Sequence, residues 1–131
     1  MGMVLVIDDQ LELRTLFQRV LENGGHRVVA VGNGEEALHA TEDWTPDLIL
    51  LDLSMPRMDG LDFLRLARQR PGLAAVPVIV LSGLLNAEQT AAARELGVAD
   101  QLQKGAFTTR ELRARIAKFL PQAPRRAITA A

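Results

Sequence analysis

The sequence contains no cysteine and no long apolar stretch, and each absence limits what the protein can be. Without cysteine the chain can form no disulfide, use no thiol nucleophile and hold no thiolate-bound metal. No hydrophobic run approaches the roughly 20 residues that a membrane-spanning helix requires. Met1-Gly2-Met3 leads directly into an apolar run, so we expect no secretory signal and a cytoplasmic location.

An excess of one charge is also missing. The chain has 15 Lys and Arg against 16 Asp and Glu, a formal net charge of −1. Domains that bind nucleic acid through its phosphates usually carry a basic surface, so we expect no direct nucleic-acid contact and no membrane contact. Basic residues do cluster near the carboxyl end, and we interpret them as a solvated helix face rather than a docking patch: Arg110, Arg113, Arg115 and Lys118.

Short apolar runs alternate with segments of helical periodicity along the chain. The predicted strands are residues 3–7, 28–31, 48–51 and 78–81, together with a weaker strand-like stretch at residues 98–103. Runs this short and apolar predict parallel strands buried on both faces. Strands that alternate with helices predict a doubly wound α/β sheet. The length suits one domain at residues 1–120, followed by a flexible tail or linker stub at residues 121–131.

Polar side chains stand where four of these runs end. Asp8 and Asp9 follow the first run, and Asp52 follows the third. Ser82 follows the fourth run, and Lys104 follows the fifth. Because ligand sites gather at the carboxyl ends of parallel strands, we predict that these five side chains share one pocket.

Three carboxylates in one pocket suit a hard divalent cation. Two carboxylates about 4 Å apart repel by about 4 kcal/mol at an effective dielectric constant near 20. A bound cation, the Lys104 ammonium or the uptake of a proton would relieve that repulsion. Mg²⁺ prefers oxygen ligands and commonly shares carboxylates with a phosphate, so Mg²⁺ is the expected cofactor.

The motifs around these residues resemble the receiver domain of bacterial two-component response regulators, over about residues 3 to 120. The matching segments are Val6-Ile7-Asp8-Asp9, the run from Pro46 to Asp52, the segment from Met55 to Gly60, the run from Val78 to Gly83, and Lys104. Each segment alone is weakly specific, but five of them in this order are highly specific. The resemblance implies a flavodoxin-like (βα)5 fold with the strand order 2-1-3-4-5.

The resemblance also implies a reaction. Asp52 would be the nucleophile that takes a phosphoryl group from the phosphohistidine of a histidine kinase or a histidine phosphotransfer protein. A carboxylate nucleophile yields an acyl phosphate, which water can attack in turn. The domain would catalyse only its own phosphorylation and dephosphorylation, and its state would switch contacts with a downstream protein that the sequence does not identify.

Other residues of the motifs would support that reaction. The resemblance implies that Asp9 holds Mg²⁺ directly and Asp8 largely through water, with Asp52 and the backbone carbonyl of Ser54 as further ligands. Lys104 would pair with the phosphoryl oxygens, and Ser82 would hydrogen-bond to them. Phosphoryl transfer needs this positioning together with neutralisation of charge on the oxygens.

Two positions depart from the family pattern. Gln101 stands where the family usually has Tyr or Phe, three residues before the lysine. Burying its amide without partners would cost about 1–3 kcal/mol, so we expect altered coupling between Asp52 and the last strand. Lys104-Gly105 replaces the usual Lys-Pro, and the sequence leaves open whether this bond is cis or trans.

Alternative functions come from other classes. One is an interaction module that no longer uses phosphorylation, which the departures at Gln101 and Gly105 favour. Another is a hydrolase with an aspartyl nucleophile; the haloacid-dehalogenase type places Asp-x-Asp at the first strand, whereas here Asp8 and Asp9 are contiguous. Phosphorylation separates the receiver from the interaction module.

Overall fold

The computed structural model describes residues 2–53, 59–83 and 87–120, which form alternating strands and helices. The strands are β1 (Met3–Ile7), β2 (Arg27–Val31), β3 (Leu48–Asp52), β4 (Val78–Ser82) and β5 (Asp100–Gln103). The helices are α1 (Leu11–Asn23), α2 (Gly34–Ala40), α3 (Gly60–Gln69), α4 (Ala87–Glu95) and α5 (Thr109–Ala117). The tail predicted at residues 121–131 lies outside the described residues and stays a prediction.

All the strand pairings are parallel, in the order β2-β1-β3-β4-β5. This confirms the predicted doubly wound sheet and its strand order. Strands β3 and β4 are buried along their whole length, and β1 is nearly so. Continuous apolar runs are the signature of such central strands, because helices cover both faces of the sheet.

Two hydrophobic clusters, one on each face, hold the helices to the sheet. On one face the β3 side chains Ile49 and Leu51 share a cluster with Phe63 of α3. On the other face Leu48 and Leu50 share a cluster with residues of α1 and α5. Because side chains alternate along a strand, Asp52 continues the row of Leu48 and Leu50 and emerges where that cluster ends.

The predicted start of the fifth strand was two residues early. Val98 donates its backbone N–H to the carbonyl of Ala93, at 3.3 Å, and so completes the end of α4. Gly97 makes this possible with φ of 76°, the left-handed conformation that commonly ends a helix. Strand β5 therefore begins at Asp100, and the preceding residue, Ala99, donates its N–H to the carbonyl of Val78.

Of the described helices, none combines the length and the apolar character needed to span a bilayer.

Candidate functional site

The register of the sheet aligns the ends of its strands at one edge. Leu51 lies beside Ile7, so that the next residues, Asp52 and Asp8, stand at the same level. Ser82 lies beside Gln103, and its carbonyl accepts the backbone N–H of Lys104 at 2.8 Å. Asp8, Asp52, Ser82 and Lys104, which come from four different strand ends, are thereby placed along the same sheet edge.

The three acidic residues meet in one cluster. One carboxylate oxygen from each of Asp8, Asp9 and Asp52 lies within 4.8 Å of the others. Asp8 and Asp52 are 0% and 1% exposed, whereas Asp9 is exposed. The cluster therefore has a buried floor and one side that faces solvent.

The Lys104 ammonium provides the positive charge between the two buried acids. Its Nζ donates a hydrogen bond to Asp52 Oδ2 at 2.9 Å and lies 3.3 Å from Asp8 Oδ2, an ion-pair distance. Burial opposes the charged form, but the hydrogen bond to Asp52 and the charges of Asp52 and Asp8 outweigh it and raise the pKa of Lys104. Lys104 is therefore charged throughout the neutral range.

Two buried oxygens at this edge lack a hydrogen-bond partner within the described part of the chain. They are Ser82 Oγ and Asp8 Oδ2, the latter meeting Lys104 only as an ion pair. Buried polar atoms are nearly always hydrogen-bonded, and exceptions often mark a place for water, an ion or a ligand. Ser82 Oγ in particular keeps its hydrogen-bonding capacity for another group.

The donor set fits Mg²⁺. All three side chains offer carboxylate oxygens, the ligands that Mg²⁺ prefers, and the exposed side at Asp9 leaves room for the waters that it retains. The oxygen of Asp8 without a hydrogen bond, Oδ2, lies 3.3 Å from the Lys104 ammonium. Ser54, whose carbonyl was the fourth predicted ligand, lies outside the described residues.

Arg14 is a neighbour of the pocket that the sequence did not single out. Its Nη1 donates a hydrogen bond to the backbone carbonyl of Asp8 at 3.0 Å. The only sequence signal is its place on the first predicted helix, five residues after Asp9, and Arg19 on the same helix looks no different by composition. The two arginines differ in the folded protein, where Arg14 contacts the Asp8 carbonyl and Arg19 is exposed.

The two departures from the family pattern have distinct structures. Gln101 is half-buried on β5, and its Nε2 donates to the carbonyl of Thr90 in α4 at 3.4 Å. The Lys104–Gly105 bond is trans, as are all described peptide bonds. Gly105 has φ of 78°, a conformation closed to proline. The loop after β5 is thus built around glycine.

The fold and the pocket together define a class of protein. It is an open, doubly wound α/β domain with an acidic, lysine-paired pocket at the carboxyl ends of its central strands. The family described as response regulator receiver domain matches residues 4–117. The chain belongs to this family of two-component signalling domains, as the motifs predicted.

Similar proteins agree with this assignment. The chain is 38% identical over 120 residues to the transcriptional regulatory protein CpxR of Escherichia coli (strain K12), covering 92% of this chain and 50% of CpxR. It spans about half the length of the curated relatives it matches. Among solved structures, the chemotaxis protein CheY4 of Vibrio cholerae has a TM-score of 0.85 at 26% identity, covering 92% of this chain and 99% of CheY4.

A further solved structure contains a metal ion. The receiver domain of the sensor histidine kinase PA1611 from Pseudomonas aeruginosa PAO1 was solved with a magnesium ion coordinated in its active-site cleft. Its TM-score to this chain is 0.81 at 26% identity, covering 90% of this chain and 96% of that one.

Proposed function

We propose that this receiver domain accepts a phosphoryl group on Asp52 from the phosphohistidine of a histidine kinase or histidine phosphotransfer protein, with Mg²⁺ bound beside it. The observation that carries the proposal is the cluster of Asp8, Asp9 and Asp52, two of which, Asp8 and Asp52, pair with the Lys104 ammonium. The magnesium ion in the PA1611 receiver supports the choice of metal.

Asp52 is the carboxylate best placed to be the nucleophile. It ends the central strand β3 at the floor of the pocket, 2.9 Å from Lys104 Nζ. On phosphorylation an Asp52 oxygen forms a bond to phosphorus, and the bond between phosphorus and the donor imidazole nitrogen breaks. The imidazole nitrogen keeps that electron pair, and the donor histidine leaves as a neutral imidazole because its other ring nitrogen carries a proton.

Asp8 and Asp9 would hold the Mg²⁺, with Asp52 as a shared ligand. Bound there, the cation would neutralise charge on the transferred oxygens, which is the main requirement of phosphoryl transfer. Asp9 faces solvent and can bind the metal directly, whereas buried Asp8 already accepts the Gln10 N–H at 2.9 Å through Oδ1. Asp8 therefore suits contact through water.

Lys104 and Ser82 would receive the phosphoryl oxygens. Lys104 is fixed on the backbone of Ser82 through its N–H, so that the ammonium and the hydroxyl move with the same pair of strands. The Ser82 hydroxyl is 0% exposed and has no hydrogen-bond partner among the described residues, so it can donate to an arriving oxygen without first breaking a bond.

Phosphorylation by acetyl phosphate tests the function directly. In the presence of Mg²⁺ the intact mass of the protein should rise by one phosphate, and Asp52→Asn should abolish the gain. Omitting Mg²⁺ should also abolish it, because the carboxylates then repel the dianionic donor. If neither acetyl phosphate nor a cognate histidine kinase phosphorylates the wild type in the presence of Mg²⁺, the domain is an interaction module that does not use phosphorylation.

A further inference from the structure

The backbone that carries the acidic pair is fixed on several sides. The Asp8 N–H donates to the carbonyl of Val31 at 3.1 Å, and Asp8 Oδ1 accepts from the N–H of Gln10 at 2.9 Å. The remaining backbone group, the Asp8 carbonyl, belongs to the peptide unit that joins Asp8 to Asp9. Its described partner is Arg14 Nη1, at 3.0 Å. Arg14 therefore holds the peptide plane from which Asp9 projects.

Gly32 provides the space in which the Arg14 guanidinium lies. A Cβ added at Gly32 would stand 2.9 Å from Arg14 Nη1, closer than real contacts of this kind. Gly32 is not among the glycines with positive φ, so its backbone conformation does not require glycine. Its own N–H donates to Glu36 Oε2 at 3.1 Å, which fixes the loop after β2 against α2. A glycine here keeps the guanidinium over the end of β1.

We propose that Arg14 is a positioning residue for the metal site: by holding the Asp8–Asp9 peptide unit it orients Asp9 for Mg²⁺. The inference rests on the proposed function for its purpose, but its test does not depend on phosphorylation. Groups that orient metal ligands without touching the metal commonly change metal affinity 10- to 100-fold when they are removed.

Two possible effects of Arg14, repulsion of the cation by its charge and positioning of Asp9, predict opposite changes in Mg²⁺ affinity when Arg14 is removed. Arg14 is a cation near an acidic cluster, so removing its charge should strengthen Mg²⁺ binding if electrostatic repulsion is its main effect. Removing a positioning contact should weaken Mg²⁺ binding, because Asp9 loses its fixed geometry. The sign of the change in the Mg²⁺ dissociation constant therefore separates the two.

The experiment is a Mg²⁺ titration of the whole chain without phosphodonor, followed by the backbone amide shifts of residues 8–10. Arg14→Ala should raise the dissociation constant by roughly tenfold. Arg19→Ala removes the same charge from an exposed position of α1 and should leave the constant within about twofold. An unchanged or lower constant in Arg14→Ala overturns the proposal.

Gly32→Ala provides a second test that keeps every charged group. The new methyl group should displace the guanidinium and raise the Mg²⁺ dissociation constant, by less than Arg14→Ala does. In the Arg14→Ala background the same change should add nothing, since no guanidinium remains to be displaced. Equal effects of Gly32→Ala in both backgrounds would overturn the proposal, and this variant serves even if Arg14→Ala fails to fold.

Phosphorylation distinguishes this inference from the proposed function. Arg14→Ala should be phosphorylated slowly at low Mg²⁺ and at close to the wild-type rate once Mg²⁺ saturates the site. A rate that stays low at saturating Mg²⁺ contradicts positioning through the metal. A wild type that binds Mg²⁺ but accepts no phosphoryl group contradicts the proposed function and leaves the role of Arg14 supported by the titration.

Discussion

At the scale of single residues, the pocket depends on one ammonium between two buried carboxylates. Lys104 is only 16% exposed in its side chain, and Asp8 and Asp52 are 1% exposed in theirs. Removing one member of a buried ion pair is expensive, because the remaining charge keeps its desolvation penalty without its partner. Lys104 therefore stabilises the folded pocket, in addition to the role proposed for it in phosphoryl transfer.

We predict that Lys104→Met lowers the free energy of unfolding at pH 7 by about 2–4 kcal/mol in the absence of Mg²⁺. The raised pKa of Lys104 sets the pH dependence: its contribution is complete below its usual value of 10.5 and is lost as the pH rises through the raised value. The difference between wild type and variant should thus shrink only above pH 10.5.

Urea unfolding at several pH values measures this, with Lys118→Met as the control. Lys118 is exposed on the last helical turn, and its replacement should change stability by less than about 0.5 kcal/mol. Equal effects of the two substitutions would contradict a structural role for Lys104.

The places of Asp8, Asp52 and Ser82 in the candidate site could be predicted from the sequence because each directly follows an apolar run. The positions of Asp8, Asp52 and Ser82 follow from the rule that parallel strands present their carboxyl ends to one site. Arg14 could not be found in this way, since its contact is to a backbone carbonyl and depends on the path of the side chain across the end of β1.

At the scale of elements, the approach of α3 to the end of β3 sets the floor of the site. The N–H of Gly60 donates to the carbonyl of Leu53 at 3.0 Å, and Asp59 caps the helix by accepting the N–H of Asp62 at 2.9 Å. A Cβ at Gly60 would lie 2.5 Å from Leu53 Cα and 2.6 Å from the carbonyl oxygen of Asp52. The first turn of α3 can approach Asp52 because residue 60 is a glycine.

We predict that Gly60→Ala lowers the free energy of unfolding by roughly 2–3 kcal/mol, since the overlap is with backbone atoms that cannot move aside cheaply. Gly72→Ala is the matched control, because its Cβ would meet only Thr45 Oγ1 at 3.7 Å, an ordinary contact. Denaturant unfolding of both variants checks this. A Gly60→Ala protein as stable as Gly72→Ala would show that α3 does not rest on β3 in this way.

Elements and their ends were predictable to different degrees. The predicted bounds of the central strands were right to within one residue, because a fully buried strand is a continuous apolar run whose ends are easily recognised. The start of α5 has the capping-box pattern of Thr108 and Glu111, and Thr108 accepts the N–H of Glu111 at 3.1 Å. The edge strand β5 was misjudged at its start, since Val98 is apolar in either role and only the backbone bond to Ala93 assigns it to the end of α4.

At the scale of the whole molecule, the question is how a change at Asp52 reaches the surface. Gln101 joins β5 to α4 through a 3.4 Å hydrogen bond to Thr90, where the family usually has an aromatic ring. An amide that must keep a polar partner enters an apolar interior less easily than an aromatic ring does. The structure therefore favours weaker coupling between the pocket and α4.

We predict that beryllofluoride with Mg²⁺, a mimic of the phosphoryl group, shifts the backbone amides near Asp52 strongly and those of residues 87–118 only slightly. Gln101→Phe should enlarge the shifts in residues 87–118, because a ring can pack in an apolar interior without giving up a hydrogen bond. Two-dimensional amide spectra of both proteins provide the comparison. Shifts in the wild type as large as those in the variant would show that Gln101 leaves the coupling intact.

The mass of the phosphorylated protein decides whether Asp52 is the phosphoacceptor of a Mg²⁺-dependent receiver. After treatment with acetyl phosphate or a phosphorylated histidine kinase, we expect a gain of one phosphate that requires Mg²⁺ and maps to the peptide containing Asp52. A phosphate on another residue, or no gain from either donor, would contradict the account.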